Sequence, residues 1–215
     1  MTNLFFGIDP SFTGFGLSEI NLDNKVIWFR EFSVDVKHGA FAEITEAAVE
    51  MEHILDTETN FMSSEVGMEI PPVSGMYAVK LWALDSRVYN HIKQEANNVW
   101  LFNVPYLKFI NSTNTKNYSK KDTMKMIDDI LDVFKSNKFE IIQDLKDKRG
   151  KDRKLTSNEC DSFLYCIRVF VKYSLENGVN GEIVQEILNV NERFSVEKET
   201  KLGKKIEEWY YENIF

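Results

Sequence analysis

Three acidic residues fall where a carboxylate can do chemistry. Asp9 closes the apolar run Leu4-Phe5-Phe6-Gly7-Ile8 and is followed by a turn, Pro10-Ser11-Phe12-Thr13-Gly14. Glu69 nearly closes a second run, Ser64 to Ile70, just before Pro71-Pro72. Asp161 stands in the first turns of an apolar-periodic stretch, Ser157 to Leu175. A carboxylate at the end of a buried strand is costly to desolvate unless a cation or hydrogen-bond donors compensate it. Three such groups brought together repel unless divalent cations sit between them, and hard oxygen ligands suit Mg²⁺ or Mn²⁺. Two ions about 4 Å apart clamp the attacking and leaving oxygens of a phosphodiester. Each acid also has a plainer use. Asp9 fits a turn acid bonding its own backbone, Glu69 a surface residue at a strand end, and Asp161 an acid complementing a helix dipole. Glu159 has the strongest plain use, because Thr156-x-x-Glu159 fits a capping box. The order of the three acids, strand end, strand end, helix start, favours the metal reading.

The elements that would position them follow from periodicity. Leu4 to Asp9, Gly14 to Asn21 and Lys25 to Val34 read as strands rich in Phe, Ile, Val and Trp, and the short Leu22-Asp23-Asn24 link makes the last two a hairpin. Residues 40–57 repeat apolar side chains at helical spacing, with Phe41, Ile44, Ala48, Met51 and Leu55. Ser64 to Ile70 is a fourth strand, Met76 to Ala96 a long helix, and Val99 to Val104 a fifth strand stopped by Pro105. Helices are expected from Ser119 to Lys135 and from Ser157 to Leu175, and Phe139 to Leu145 is ambiguous between strand and helix. Gly181 to Phe215 reads as two shorter helices. The order implies an α/β fold with one five-stranded mixed sheet, in which the first and fourth strands are neighbours and Asp9 faces Glu69.

Bulk composition narrows the class. The chain has 215 residues, 43% hydrophobic and 13% aromatic, enough for a full globular core. No apolar stretch nears ~20 residues, so no membrane span or membrane partner is expected. The start Met1-Thr2-Asn3-Leu4 has no basic region, so no signal peptide is expected. Cys160 and Cys166 lie in one expected helix on different faces, which suits a reducing, cytoplasmic setting. The net charge of −8 disfavours nucleic acid only weakly, since binding depends on where basic residues cluster.

With the acids in place, the chain resembles the RuvC-type Holliday junction resolvases of the RNase H-like superfamily, most of all their divergent phage-type members. Four segments carry the resemblance: Phe6 to Leu17, Val66 to Pro72, the polar stretch Tyr106 to Asp122, and Ser157 to Ile167. It spans Leu4 to Lys172. It implies an RNase H-like domain over residues 1–178 with helices on both faces of the sheet, and a C-terminal helical extension over residues 179–215. It also implies a Mg²⁺-dependent crossover-junction endodeoxyribonuclease. Asp9, Glu69 and Asp161 would hold two Mg²⁺ ions, with Mn²⁺ as substitute, and Asn158 would complete the catalytic set. A homodimer would make paired nicks in branched DNA, in the host cytoplasm if the chain is phage-encoded. One departure stands out. The family's last helix usually carries an acid or comparable metal-site group three residues before the Asp161 position, and here that residue is Asn158. Asn158 shares a helix face with Asp161 and offers an amide oxygen. Glu159 is rotated about 200° from Asp161, at roughly 100° per residue, and is the reserve.

Basic residues cluster where such an enzyme would touch phosphates, contacts that fix position and carry no sequence code. Lys146 to Lys154 includes Lys148, Arg149 and Lys151; a second group is Lys116, Lys120 and Lys121; Lys80 and Arg87 lie on the helix after Glu69. Ordinary solvated loop charge is the competing explanation. Phe12 and Tyr77 flank the site and are candidates to stack on bases at a branch point, against the commoner role of partly buried packing. Two other function classes remain. Asn158 and the net charge suit a non-catalytic binder of branched DNA with a decayed site. The Asp9 turn also resembles the phosphate hairpin of actin and sugar kinases, although Pro10-Ser11 breaks that pattern.

Overall fold

The computed structural model describes residues 2–12, 14–33, 42–70, 78–102, 120–143 and 153–194. A meander of β1 (Leu4–Asp9), β2 (Gly14–Asn21) and β3 (Val26–Ser33) opens the chain. Then follow α1 (Ala42–Glu58), β4 (Glu65–Glu69), α2 (Ala78–Ile92), β5 (Asn98–Phe102) and α3 (Lys120–Ser136). The last elements are β6 (Glu140–Gln143), α4 (Ser157–Asn177), α5 (Gly181–Val190) and a single 3₁₀ turn, Glu192–Phe194. No described helix is long and apolar enough to cross a membrane.

The strands form one mixed sheet in the order β5-β4-β1-β2-β3-β6. β1, β2 and β3 pair antiparallel, while β4 joins β1, β5 joins β4 and β6 joins β3 in parallel. Three antiparallel strands are thus flanked on the β1 side by two parallel ones. The sheet has six strands where the sequence predicts five. Residues 140–143, Glu-Ile-Ile-Gln, are too few to show a period. They are strand because β3 presents an open edge, which Glu140 joins by donating its N–H to the Lys25 carbonyl at 2.9 Å.

Alternation along the strands sorts side chains onto two cores. Phe6, Ile8, Leu17, Val66, Met68 and Leu101 face α1 and α2. Phe5, Ile20, Ile27, Phe29 and Phe102 face α3, α4 and α5. Helices thus cover both faces. The start of the C-terminal segment belongs to the second core: Val184, Ile187 and Phe194 are buried in it, and Arg168 donates to the Phe194 carbonyl.

α4 is the helix that matters for the site. Its N-terminus is fixed by a full capping box: the Glu159 amide donates to Thr156 Oγ1 at 3.2 Å, and the Thr156 amide donates to Glu159 Oε2 at 2.9 Å. It ends at Gly178, whose φ of 64° is the left-handed conformation that favours glycine. Between these caps its backbone lies directly on the sheet. Cβ atoms at Gly16, Gly7 and Gly67, on β2, β1 and β4, would collide with backbone atoms of Asn158, Ser162 and Tyr165. Ser18 and Ser162 complete the contact with their hydroxyl oxygens 2.7 Å apart. Glycine and serine here let a helix approach the strands more closely than any larger side chain permits.

Candidate acidic active site

The glycine track puts Asp161 over the strand ends. Asp9 pairs with Gly16 across the β1–β2 ladder, and Asn158 and Ser162 bracket Asp161 above Gly16 and Gly7. The parallel β1–β4 ladder pairs Gly7 with Gly67 and Ile8 with Met68, so Asp9 and Glu69 are adjacent at the C-terminal ends of neighbouring strands. Both share the parity of Gly7 and Gly67 and belong to the α4 side of the sheet. Asp9 is only 8% exposed, and Glu69 and Asp161 are half-buried. The expected pairing of the first and fourth strands, and the expected helix across their ends, are both present.

Two groups that the sequence did not single out belong to the same neighbourhood. Tyr165, one turn beyond Asp161 on α4, is fully buried. Burial, and then the charges of Glu69, Asp9, Asp161 and Asp85, push its phenol well above the usual tyrosine range. Asp85, on α2, is 3% exposed. Burial, then Glu69 and Asp9, push its carboxyl well above the usual aspartate range. Its signal was in the sequence: Leu81, Leu84, Val88 and Ile92 form the apolar stripe of α2, and Asp85 interrupts it.

Asn158 and Glu159 are tied to a separate network. Asn158 Nδ2 donates to Glu31 Oε1 at 3.1 Å. Glu31 lies on β3 opposite Gly16 and was another acid missed by the sequence reading. Glu159, 0% exposed, is gripped by the Arg153 guanidinium through bonds of 2.8 and 3.0 Å besides serving the cap. Arg153 also lies 3.6 Å from Glu31. Glu159 thus serves the cap and the Arg153 pair.

The basic and aromatic candidates divide. Arg87 forks onto Glu52 through Nε at 2.7 Å and Nη2 at 3.0 Å and ties α2 to α1. Lys80 is half-buried on the first turn of α2. Phe12 is half-buried and packs against the α1/α2 core. Lys120 and Lys121 open α3. Tyr77, Lys116, Lys148, Arg149 and Lys151 lie outside the described residues.

Asp9, Glu69 and Asp161 are hard oxygen donors of the kind a divalent cation takes. Among the described residues no three acidic, histidine or cysteine side chains close onto a single point.

Comparison with solved structures finds RuvC. The Thermus thermophilus RuvC structure aligns with 13% identity and a TM-score of 0.45, covering 81% of this chain and 96% of that one. Thermus thermophilus RuvC in complex with Holliday junction substrate aligns with 12% identity and the same TM-score, covering 76% and 90%. The likeness is distant, and the sheet order rests on its own hydrogen-bonded ladders. No family model matches the chain, and no curated protein matches it.

Proposed function

We propose that this chain is a divalent-metal-dependent endonuclease that resolves four-way and other branched DNA by paired phosphodiester nicks. What carries the reading is the placement of Asp9, Glu69 and Asp161 at the ends of β1 and β4 and under the start of α4, on an RNase H-like sheet. The reaction is hydrolysis: water adds to phosphorus in line, the bond to O3′ breaks, and a 5′-phosphate and a 3′-hydroxyl remain. Asp9, Glu69 and Asp161 would hold Mg²⁺ or Mn²⁺, which supplies an acidic water and neutralises the charge that develops on the phosphate. Asp9 is fixed by the strand and by burial. Asp161 is fixed by a helix that the glycines seat rigidly on that strand. Asn158, hydrogen-bonded to Glu31, holds the first turn of α4 against β3.

Phosphate contacts fall to Lys80, Lys116, Lys120, Lys121, Lys148, Arg149 and Lys151, with Tyr77 and Phe12 available to stack on bases. Arg87 is spent on Glu52. A homodimer would set two such sites on the two-fold axis of a junction, and substrate choice would follow DNA shape and bendability. A non-catalytic binder of branched DNA is the second reading. It is favoured by the Asn158–Glu31 bond and by the open spacing of the acids.

The test is incubation of the protein with a labelled four-way junction and the matching linear duplex, in Mg²⁺, Mn²⁺ or EDTA. Symmetric nicks in the junction alone, abolished by EDTA, support the nuclease. Junction binding without nicks in either metal supports the binder. Neither binding nor nicking removes both.

A further inference from the structure

Glu31 lies in one row of the sheet with Gly16 and Asp9. The ladders pair Asp9 with Gly16 and Gly16 with Glu31, and residues paired directly across a ladder share a face. Two strand spacings of about 4.8 Å put Glu31 about 10 Å from Asp9 on that face. The backbone of Asn158, in the first turn of α4, lies on the glycine between the two acids. Glycine lets the turn down onto the strand but offers no side chain to stop it sliding. Glu31 supplies that stop. Its Oε1 accepts from Asn158 Nδ2 at 3.1 Å, and its Oε2 lies 3.6 Å from Arg153 Nη2. Arg153 in turn donates to both Glu159 oxygens, at 2.8 and 3.0 Å, and to the Lys154 carbonyl at 2.9 Å. One carboxylate from the sheet thus engages both the helix start and the segment that leads into it. Stability does not account for Glu31. Its side chain is 24% exposed and that of Arg153 19%, and ion pairs open to water contribute little. Glu159, 0% exposed, is the acid of this network on which packing depends.

We propose that Glu31 is a positioning residue of the nuclease site: acting through Asn158 and Arg153, it fixes the first turn of α4, and so Asp161, against Asp9 across Gly16. The inference rests on the nuclease reading above. Asp161 is three residues beyond Asn158 and is its neighbour on the helix surface, so a shift of Asn158 along the sheet is a shift of Asp161. The role also gives the amide at position 158 a use. A carboxylate there would stand beside that of Glu31 and be repelled by it, whereas the amide donates to it.

The test is single-turnover nicking of a labelled four-way junction in Mn²⁺ over a range of protein concentrations, for wild type, Glu31→Ala and Glu31→Gln as full chains. Thermal melts and amide hydrogen exchange are measured on the same proteins in EDTA. Alanine removes the stop, while glutamine keeps an oxygen that accepts from Asn158. The expected result for Glu31→Ala is a maximal rate lower by about tenfold or more, with half-saturation within about twofold of wild type, since no group that binds phosphate has gone. Glu31→Gln should stay within about threefold of wild type in both. Both variants should melt within about 2 °C of wild type. Exchange of the amides from Cys160 to Ser162 should quicken about tenfold in Glu31→Ala and stay unchanged in Glu31→Gln. A wild-type maximal rate in Glu31→Ala overturns the assignment of Glu31 and leaves the nuclease standing. An equal loss in the two variants, a change in half-saturation alone, or unaltered exchange in Glu31→Ala also overturns it. Melting of Glu31→Ala well below wild type does so too, since Glu31 is then a structural acid. No nicking by wild type overturns the nuclease reading itself, and the role of Glu31 with it.

Discussion

Replacing Gly7 with alanine tests the seat on which the site depends. The added Cβ would lie 2.5 Å from the Cys166 amide nitrogen and 2.9 Å from Cys166 Cβ, and closer still to the Ser162 carbonyl oxygen. Two of these three are backbone atoms, so no rotamer change relieves the clash. α4 must rise by roughly 1.5 Å to restore ordinary contact, and Phe163, Ile167 and Phe170 rise with it. Overpacking of this kind costs about 1–3 kcal/mol, and backbone against backbone puts Gly7→Ala near the top of that range. The smaller entropy of the unfolded alanine chain returns about 0.4–1 kcal/mol, leaving a net loss of roughly 2 kcal/mol. For a domain of this size that lowers the melting temperature by about 4–8 °C. Activity should fall further than stability. Asp161 sits on the displaced turn, and an ångström of misplacement costs on the order of 100-fold in rate. The assays are a thermal melt and single-turnover nicking of a four-way junction well below the melting point. Gly181→Ala is the control, since its Cβ would meet nothing within 4 Å, and it should leave both readings near wild type. Gly7→Ala melting within about 2 °C of wild type and nicking at the wild-type rate would refute the reasoning.

Three further outcomes follow from buried polar groups. Arg153→Met leaves Glu159, 0% exposed, without its guanidinium. The Thr156 cap compensates in part, so the cost should be near the low end for a broken buried pair, about 3 kcal/mol by urea denaturation. Asp85 holds its proton in the folded protein over a range where the unfolded chain has released it. The folded state therefore binds more protons, and this group makes stability fall as pH rises from about 4 upward through its raised folded value. Urea midpoints in EDTA from about pH 5 to about pH 8 should slope downward more in wild type than in Asp85→Asn. Tyr165→Phe removes a buried hydroxyl without a partner, so the melt in EDTA should be unchanged or higher, by up to about 1 kcal/mol.

Much of the fold was legible because the strongest signals were local. The strand from Leu4 to Asp9, the fourth strand through Glu69, and the Thr156–Glu159 box each depend on few residues and appear where expected. β6 was not legible, because its strand character comes from the open edge of β3. The helix after β4 ends at Ile92, short of the expected Ala96, since apolar periodicity does not mark where a helix is terminated. The positions of Asp9, Glu69 and Asp161 within their elements could be read from the sequence. Glu31 could not, because its link to Asn158 spans elements far apart in sequence. Asp85 could have been found as a charge in an apolar stripe, but that signal names burial without naming the neighbours. The three glycines were visible singly. Their common purpose, admitting α4 onto three adjacent strands, needed the register.

The central claim is that Asp9, Glu69 and Asp161 form one metal-dependent site that cuts branched DNA. The most direct measurement compares wild type with Asp9→Asn on one labelled four-way junction in Mn²⁺, scoring binding by gel shift and cleavage by product length. The account predicts that Asp9→Asn binds the junction as wild type does and cuts it at least about 100-fold more slowly. Equal cleavage by the two proteins would contradict it, since the carboxylate at the end of β1 would then take no part in the chemistry.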